Sequence, residues 1–374
     1  MKKVLIVTTI QNTIEAFLIS HIKFLEEKGY EVVLATNIFK EIPKELEGNR
    51  WINIPFSRNP FSLSSFTAIR EMRRLFRDEK FEFVHFHTPV AAFLGRYAAM
   101  REKQKNIIYT AHGFHFFEGA PRLNWFIYYP LEVIGSKWTD KLITINEEDY
   151  KRAQNFKLRE GGKVYKVSGV GLDMQRYQNG DADKLRKELL IGANEKLILM
   201  IGELNKNKNQ IQLLYILERL KLKGKSVRGI FVGVGDQEEI LKEKAKELGV
   251  KVSFLGYRHD ITDLIASCDI LCSMSYREGL PRNLMEGMCQ GKPLIATDIR
   301  GNRDLIVDGE NGYLIGVNEV EEASKIFYKL LNDRELYEKV SKKSLESAYN
   351  YSVDKVLEEM REVYGYEEVS NSQS

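Results

Sequence analysis

The sequence predicts an α/β protein built from two Rossmann-like, doubly wound domains facing across a cleft. Three observations carry this. The chain has 374 residues, and chains beyond roughly 250–300 residues split into more than one core. Hydrophobic residues make up 43% and charged residues 29%, the balance of a globular protein in water. Short apolar runs alternate with segments of helical spacing in two successive series, which predicts parallel sheets with right-handed crossovers.

In the first series, residues 4–7 are a continuous apolar run, as expected of a strand covered on both faces. Phe17, Leu18, Ile22 and Leu25 then follow helical spacing up to Gly29. Further strands are expected at 32–35, 83–87, 106–110 and 141–145. Helices are expected at 69–76, carrying Arg70, Arg73, Arg74 and Arg77, at 91–100, and from Glu147. Residues 40–65, with Pro43, Pro55 and Pro60, read as irregular. The second series is expected to begin near Val164. Its strands fall at 197–201, 229–232, 252–255, 270–272 and 293–297, and its helices near 209–223, 236–248, 260–267, 282–290 and 319–331. The joint lies around Ser168 to Tyr177, giving domains of 1–167 and 168–351, then a closing segment, 352–374, of one helix and a polar tail. Ligands of such sheets bind at the carboxyl ends of the strands, so two facing sheets imply one interdomain cleft.

Formal net charge is +3, unevenly spread. Residues 1–165 hold 25 Lys and Arg against 19 Asp and Glu, hence +6, and the remainder holds 31 against 34, hence −3. At this size of asymmetry, a basic first half reads either as a face for anionic lipid or as a merely solvated surface. Cys268, Cys272 and Cys289 lie on apolar segments without a Cys-x2-Cys pair, so a reduced cytoplasm is expected rather than a zinc or disulfide framework. The amino-terminal apolar run is too short to span a bilayer.

The stretch 273–293 is the chemical centre. A strand is followed by Glu278, Gly279 and Pro281, then by a helical pattern with Leu284, Met285 and Met288 on one face, stopped by Gly291 and Pro293. Proline suits a first helical turn, where its missing N–H costs nothing. A strand–turn–helix junction presents free N–H groups to a phosphate. The two carboxylates, Glu278 and Glu286, serve better as acceptors for hydroxyls. One beside a sugar and one beside a ribose fit a nucleotide sugar.

Glu278-x7-Glu286 in this setting resembles the signature of family 4 glycosyltransferases, retaining enzymes of the GT-B fold. The stretch Gly301-Asn302-Arg303-Asp304-Leu305-Ile306-Val307-Asp308-Gly309-Glu310-Asn311-Gly312-Tyr313-Leu314 resembles the branch that builds bacterial capsular and exopolysaccharides. The resemblance implies donor contacts from Gly279, Leu280, Arg282, Asn283 and Glu286, with Glu278 catalytic beside the sugar. The loop Gly202-Glu203-Leu204-Asn205-Lys206-Asn207-Lys208-Asn209 is similar to the family loop ending in a diphosphate-binding lysine, here Lys208. Glu203 stands where the family usually has arginine, and Lys206 is the nearest substitute cation. Glu203 is expected to turn away or to pair with Lys206 or Lys208. By the same resemblance, backbone around Arg258 reads a uracil edge, and His112 is the histidine that faces the donor sugar across the cleft. The helix near 352–364 resembles the one that crosses back to the first domain.

Other residues are weighed on their own pattern. Gly233-Val234-Gly235 lacks a third glycine and an acidic ribose partner, and reads as sheet packing rather than a dinucleotide site. His85 and His87 share a face of one strand, with His87 a candidate acceptor contact. Thr9 and Asn12 are acceptor-side candidates in a segment that lacks the family's glycine-rich turn. His21 reads as a surface residue. Asp181-Ala182-Asp183 reads as an N-cap, and no carboxylate cluster points to Mg²⁺, so neither metal nor cofactor is expected. Phe114, Phe116, Phe117, Trp125, Phe126, Tyr128 and Tyr129, beside Arg122 and Lys137, form either a buried aromatic helix or a membrane-dipping surface.

The function expected is metal-independent, retaining transfer of an N-acetylhexosamine or hexose from a UDP-sugar to a lipid-linked saccharide. It would take place in the cytoplasm at the inner face of the membrane, with no nucleic-acid partner. The alternatives are a UDP-sugar 2-epimerase of the same shape and a non-catalytic binder of a phosphorylated ligand.

Overall fold

The computed structural model describes residues 2–57, 59 and 62–366. The chain forms two compact units. One holds the residues up to Gly171 and those from Val353 onward, and the other is Leu172–Ser352. The chain passes between them after Gly171 and after Ser352, against boundaries expected after 167 and 351.

The first unit is an all-parallel sheet of seven strands: β1 (Lys2–Ile10), β2 (Tyr30–Asn37), β3 (Arg50–Asn53), β4 (Phe83–His87), β5 (Ile107–Ala111), β6 (Lys141–Thr144) and β7 (Lys163–Lys166). Their order is β3-β2-β1-β4-β5-β6-β7. Alternate residues of a strand face opposite sides of its sheet. In β1, Leu5 and Val7 join one buried cluster while Val4 and Ile6 join another. Both faces are therefore covered, and this is why the run is apolar throughout rather than alternating.

The second unit repeats the plan with β8 (Lys196–Ile201), β9 (Val227–Val232), β10 (Val252–Phe254), β11 (Ile270–Ser273), β12 (Leu294–Thr297) and β13 (Gly312–Ile315). All are parallel, in the order β10-β9-β8-β11-β12-β13. Ile198 and Met200 face one core, Leu197 and Leu199 the other. In each sheet the order reverses once, between β1 and β4 and between β8 and β11, and such switch points are where doubly wound sheets bind ligands.

Three sequence expectations are corrected here. The segment 40–65, expected to be irregular, holds a short 3-10 turn at Lys44–Leu46, edge strand β3 and the start of the helix Ser64–Asp78. Val164 lies in β7, the last strand of the first sheet, rather than opening the second. The helix Arg334–Ala348 and strand β13 were not foreseen. The closing helix, Val353–Tyr364, belongs to the first unit: Val356, Met360, Val363 and Tyr364 enter its core. Its Glu359 accepts from Ser168 N–H at 2.7 Å and from Ser168 Oγ at 2.9 Å.

Candidate functional site

In the second unit the loop after β8 and the turn after β11 meet at the switch point. Lys208 Nζ lies 2.6 Å from Glu278 Oε1, and Ser275 Oγ donates to the same oxygen at 2.6 Å. The loops are tied by backbone as well: Tyr276 N–H donates to Asn207 O at 2.8 Å, and Asn207 Nδ2 to Arg277 O at 3.1 Å. The lysine stem crosses Gly202, whose φ is +155°. A Cβ there would stand 3.1 Å from Lys208 Cε, so glycine lets the stem reach the glutamate. The Gly233–Gly235 turn presses on this loop, since a Cβ on Gly235 would come 2.1 Å from Leu204 O. That agrees with its reading as packing.

The second matched stretch supports the turn from behind. Gly301, at φ +83°, approaches so closely that a Cβ would lie 2.5 Å from Gly279 O, and Arg300 Nε donates to Glu278 O at 3.2 Å. The helix Arg282–Cys289 begins after Pro281, which takes the N-cap position. Asn283 spans two elements: its Nδ2 donates to Ile201 O at the end of β8 at 2.9 Å, and its Oδ1 accepts from Leu284 N–H at 3.0 Å. Its side chain pins the helix start to the sheet. Glu286 is buried one turn on, with Arg282 Nε 3.1 Å from its Oε1, and Arg282 Nη2 donates to the Tyr177 hydroxyl at 3.4 Å. Burial raises the Glu286 carboxyl above its usual range, while Arg282 opposes the shift. Leu280 is half-buried beside these residues.

The lysine loop narrows the expectation for Glu203. Glu203 pairs with neither Lys206 nor Lys208 among the described residues. It is exposed, and its Oε2 accepts from Asn205 Nδ2 at 3.0 Å. Lys206 is also exposed. The Arg258 guanidinium is held by Asp260 at 2.8 Å and by both oxygens of Glu188 at 2.7 and 2.9 Å, and its side-chain bonds raise its pKa further. Asp183 takes an N-cap position without a capping bond from its side chain. Its N–H instead donates to Asp181 Oδ1 at 2.9 Å. Among the described residues no group of three or more His, Cys, Asp and Glu is gathered to hold a metal.

In the first unit, β4 and β5 pair with His87 opposite Thr110, which sets His112 two residues beyond. His87 Nδ1 and His112 Nε2 are 3.0 Å apart, so one ring donates to the other. His87 is 3% exposed and a neighbour of His112. Its ring lies over His85 at 4.1 Å between centroids. His85 in turn bonds Tyr364 of the closing helix at 3.0 Å and Thr110 at 2.7 Å. His21, expected at the surface, is buried with Nε2 3.0 Å from Val170 O. Burial lowers the pKa of all four rings, that of His112 to about 4, so they are neutral at pH 7. Thr9 is buried and bonded to Thr88, whereas Asn12 is exposed and lines a recess with Asn37, Ser57 and Ser62.

The aromatic segment divides between its two readings. Phe114 and Phe116 are buried, whereas Leu123 and Phe126, in the helix Arg122–Ser136, are 65% and 81% exposed. No helix among the described residues is long and apolar enough to cross a membrane. Sequence reasoning did not single out Ser275 and Tyr177. Ser275 lies three residues before Glu278 in the same turn, a signal that was present. Tyr177 reaches Arg282 only through the fold.

Two doubly wound sheets, with a lysine–glutamate pair across the second switch point and a histidine pair at the carboxyl ends of the first, define a GT-B glycosyltransferase architecture. The family model described as Glycosyl transferases group 1 matches residues 181–346, and that described as Glycosyl transferase 4-like matches residues 3–146. Over 370 residues the chain is 36% identical to EpsD of Bacillus subtilis (strain 168), which its name places among the glycosyltransferases. The match covers 97% of this chain and 96% of EpsD. The chain belongs to this family and is a glycosyltransferase. It is also 26% identical over 290 residues to the UDP-Gal:alpha-D-GlcNAc-diphosphoundecaprenol alpha-1,3-galactosyltransferase of Escherichia coli, covering 75% of this chain and 74% of that one. HepE of Anabaena, solved in complex with UDP and glucose, shares the fold with a TM-score of 0.81 at 20% identity, covering 98% of this chain and all of HepE.

Proposed function

We propose that the protein moves a hexose or N-acetylhexosamine from a UDP-sugar to a lipid-linked saccharide, at the inner face of the cytoplasmic membrane, with retention of anomeric configuration. The observation that carries the reading is the Lys208–Glu278–Ser275 cluster at the switch point of the second unit. UDP in the HepE complex and the diphosphoundecaprenol acceptor named for the E. coli relative support the choice of donor and acceptor.

In this reading the second unit binds the donor. The start of the helix Arg282–Cys289, with Gly279, Leu280 and Asn283, lies against the diphosphate and sugar. Glu286 accepts from the ribose hydroxyls, with Arg282 keeping it from standing as a bare buried charge. Backbone around Arg258 meets the uracil edge. Lys208 has three N–H donors, so it can keep Glu278 while another donor meets a diphosphate oxygen. Charge grows on that diphosphate as the sugar leaves, so a fixed cation and helix-end N–H groups act mostly in the transition state. The acceptor hydroxyl attacks the same face that the diphosphate leaves, and the departing diphosphate takes its proton. Glu278 and neutral His112 orient the sugar, and Thr9 and Asn12 belong to the acceptor side. Neither metal nor cofactor is assigned a part.

The test is calorimetry with UDP followed by turnover with a panel of UDP-sugars and a diphospholipid acceptor. Absence of UDP binding by the folded protein would remove the donor assignment.

A further inference from the structure

We propose that the first unit holds the apolar chain of the lipid-linked acceptor in a cavity of about 410 Å³ at the switch point of its sheet, an inference that rests on the acceptor reading above. The cavity is lined by Thr9 and Ile10 at the end of β1, by Thr88 after β4, and by His115 and Phe116 beyond β5. It therefore sits at the carboxyl edge, where the strand order reverses, the place where such sheets bind ligands. Its volume falls within the roughly 300–1,000 Å³ of small-molecule sites. The segments that line it follow directly on His87 and His112.

The walls decide the chemistry. Val90, Phe93 and Leu94 come from the helix Pro89–Arg101, and Tyr128 and Leu131 from the helix Arg122–Ser136. The polar residues of the lining are few, Thr9, Thr13, Thr88, His115, Tyr128 and Glu132, and Thr9, Thr88 and Glu132 are engaged with protein partners. The Thr9 and Thr88 hydroxyls are 2.7 Å apart. Glu132 Oε2 accepts from Arg96 at 2.9 Å and Oε1 from the Tyr109 hydroxyl at 2.9 Å. A sugar entering this space would have to break those bonds to be met by Thr9, Thr88 or Glu132, and the rest of the wall is mostly apolar. An alkyl or isoprenoid chain needs no hydrogen bond and gains by leaving water. The same helix that supplies Tyr128 and Leu131 also carries exposed Leu123 and Phe126.

A strained residue joins the cavity to the histidines. Thr88 has φ 65° and ψ 140°, a conformation that a β-branched residue rarely adopts. It is held there by Thr9 N–H, which donates to Thr88 Oγ1 at 2.9 Å, and by its own hydroxyl, which donates to His87 O at 2.5 Å. Strain maintained by a local network is a mark of functional segments. Here it fixes the step from His87 to Pro89 in the cavity wall.

The experiment is calorimetric titration of the full chain with n-alkyl phosphates from butyl to decyl, without nucleotide. The head group is constant, so the slope against chain length reports the chain alone. Affinity should rise about fourfold per methylene while the chain is being buried, the factor that corresponds to roughly 0.8 kcal/mol per CH₂. Leu131→Trp, which fills the cavity, should flatten that slope, and Val90→Phe should shorten it. A photoreactive decyl phosphate locates the chain without any substitution. Labelling within 88–94 and 128–132 supports the proposal. A missing slope, a slope that survives both filled variants, or labelling confined elsewhere overturns it. A polyprenyl diphosphate should compete with decyl phosphate. Competition by phosphatidylglycerol vesicles alone would assign the cavity to bilayer lipid and overturn the acceptor assignment. UDP affinity is measured separately, so its loss would strike the donor reading and leave the cavity result standing.

Discussion

Lys208→Ala should lower kcat/KM by two to three orders of magnitude. In the free protein the ammonium lies 2.6 Å from Glu278, the lysine side chain 21% exposed and the glutamate 13%. In the proposed reading, truncation removes the cation that faces the growing diphosphate charge. It also leaves Glu278 beside the same anion, with Ser275 as its remaining side-chain donor among the described residues. Losing one fixed charge stabiliser costs about 3–4 kcal/mol, and about 1.4 kcal/mol is tenfold in rate. Lys206→Ala should cost clearly less if Lys206 is auxiliary, and about as much if it replaces the family's arginine. Glu203→Arg should leave activity intact, because the Glu203 carboxylate bonds only Asn205 among the described residues. The assay is kcat/KM of the three variants with the donor and acceptor that support turnover, and thermal melting to verify folding. A Lys208→Ala protein as fast as wild type would place the diphosphate elsewhere.

Glu286→Ala should weaken UDP binding about tenfold or more, since one charged hydrogen bond contributes roughly 1.5–3 kcal/mol; calorimetry with UDP alone checks this, and unchanged affinity refutes the ribose assignment. Stability should fall as the pH drops below about 6.5, because His21, His85, His87 and His112 have pKa values lowered in the fold. The unfolded chain then binds more protons than the folded one, and stability is lost as pH falls through that window. Melting at pH 7 and pH 5 tests it, and an unchanged midpoint would contradict the burial of these rings. Activity should survive excess EDTA, and loss that Mg²⁺ restores would refute the metal-free reading. Binding to anionic vesicles should weaken with salt, since the exposed Arg70 and Arg74 act through charges screened beyond roughly 8 Å at physiological ionic strength. Co-sedimentation that ignores salt would favour Leu123 and Phe126 as the anchor.

Local pattern was legible wherever burial is uniform. The apolar run in β1 and the strand–turn–helix around Glu278 follow from residue order alone. Edge strands β3 and β7 were missed because each is only four residues long, pairs on one side and carries polar ends such as Arg50 and Lys163. The site pairs lie beyond any local rule. Lys208 meets Glu278 only because β8 neighbours β11, and His87 meets His112 only through the β4–β5 register. His21 looked like a helix-surface residue because the carbonyl it meets, Val170, is far along the chain. The cavity was invisible for the same reason, its walls being drawn from four separate stretches.

The most direct test is incubation of the full chain with a panel of UDP-sugars and a diphospholipid-linked saccharide, with products followed by mass spectrometry and the new linkage by NMR. The expected result is an acceptor heavier by one sugar, one UDP released per transfer, and the anomeric configuration of the donor retained. An inverted linkage would contradict the same-face mechanism, and isomerised sugar or untouched UDP-sugar across the whole panel would contradict the proposed transfer itself.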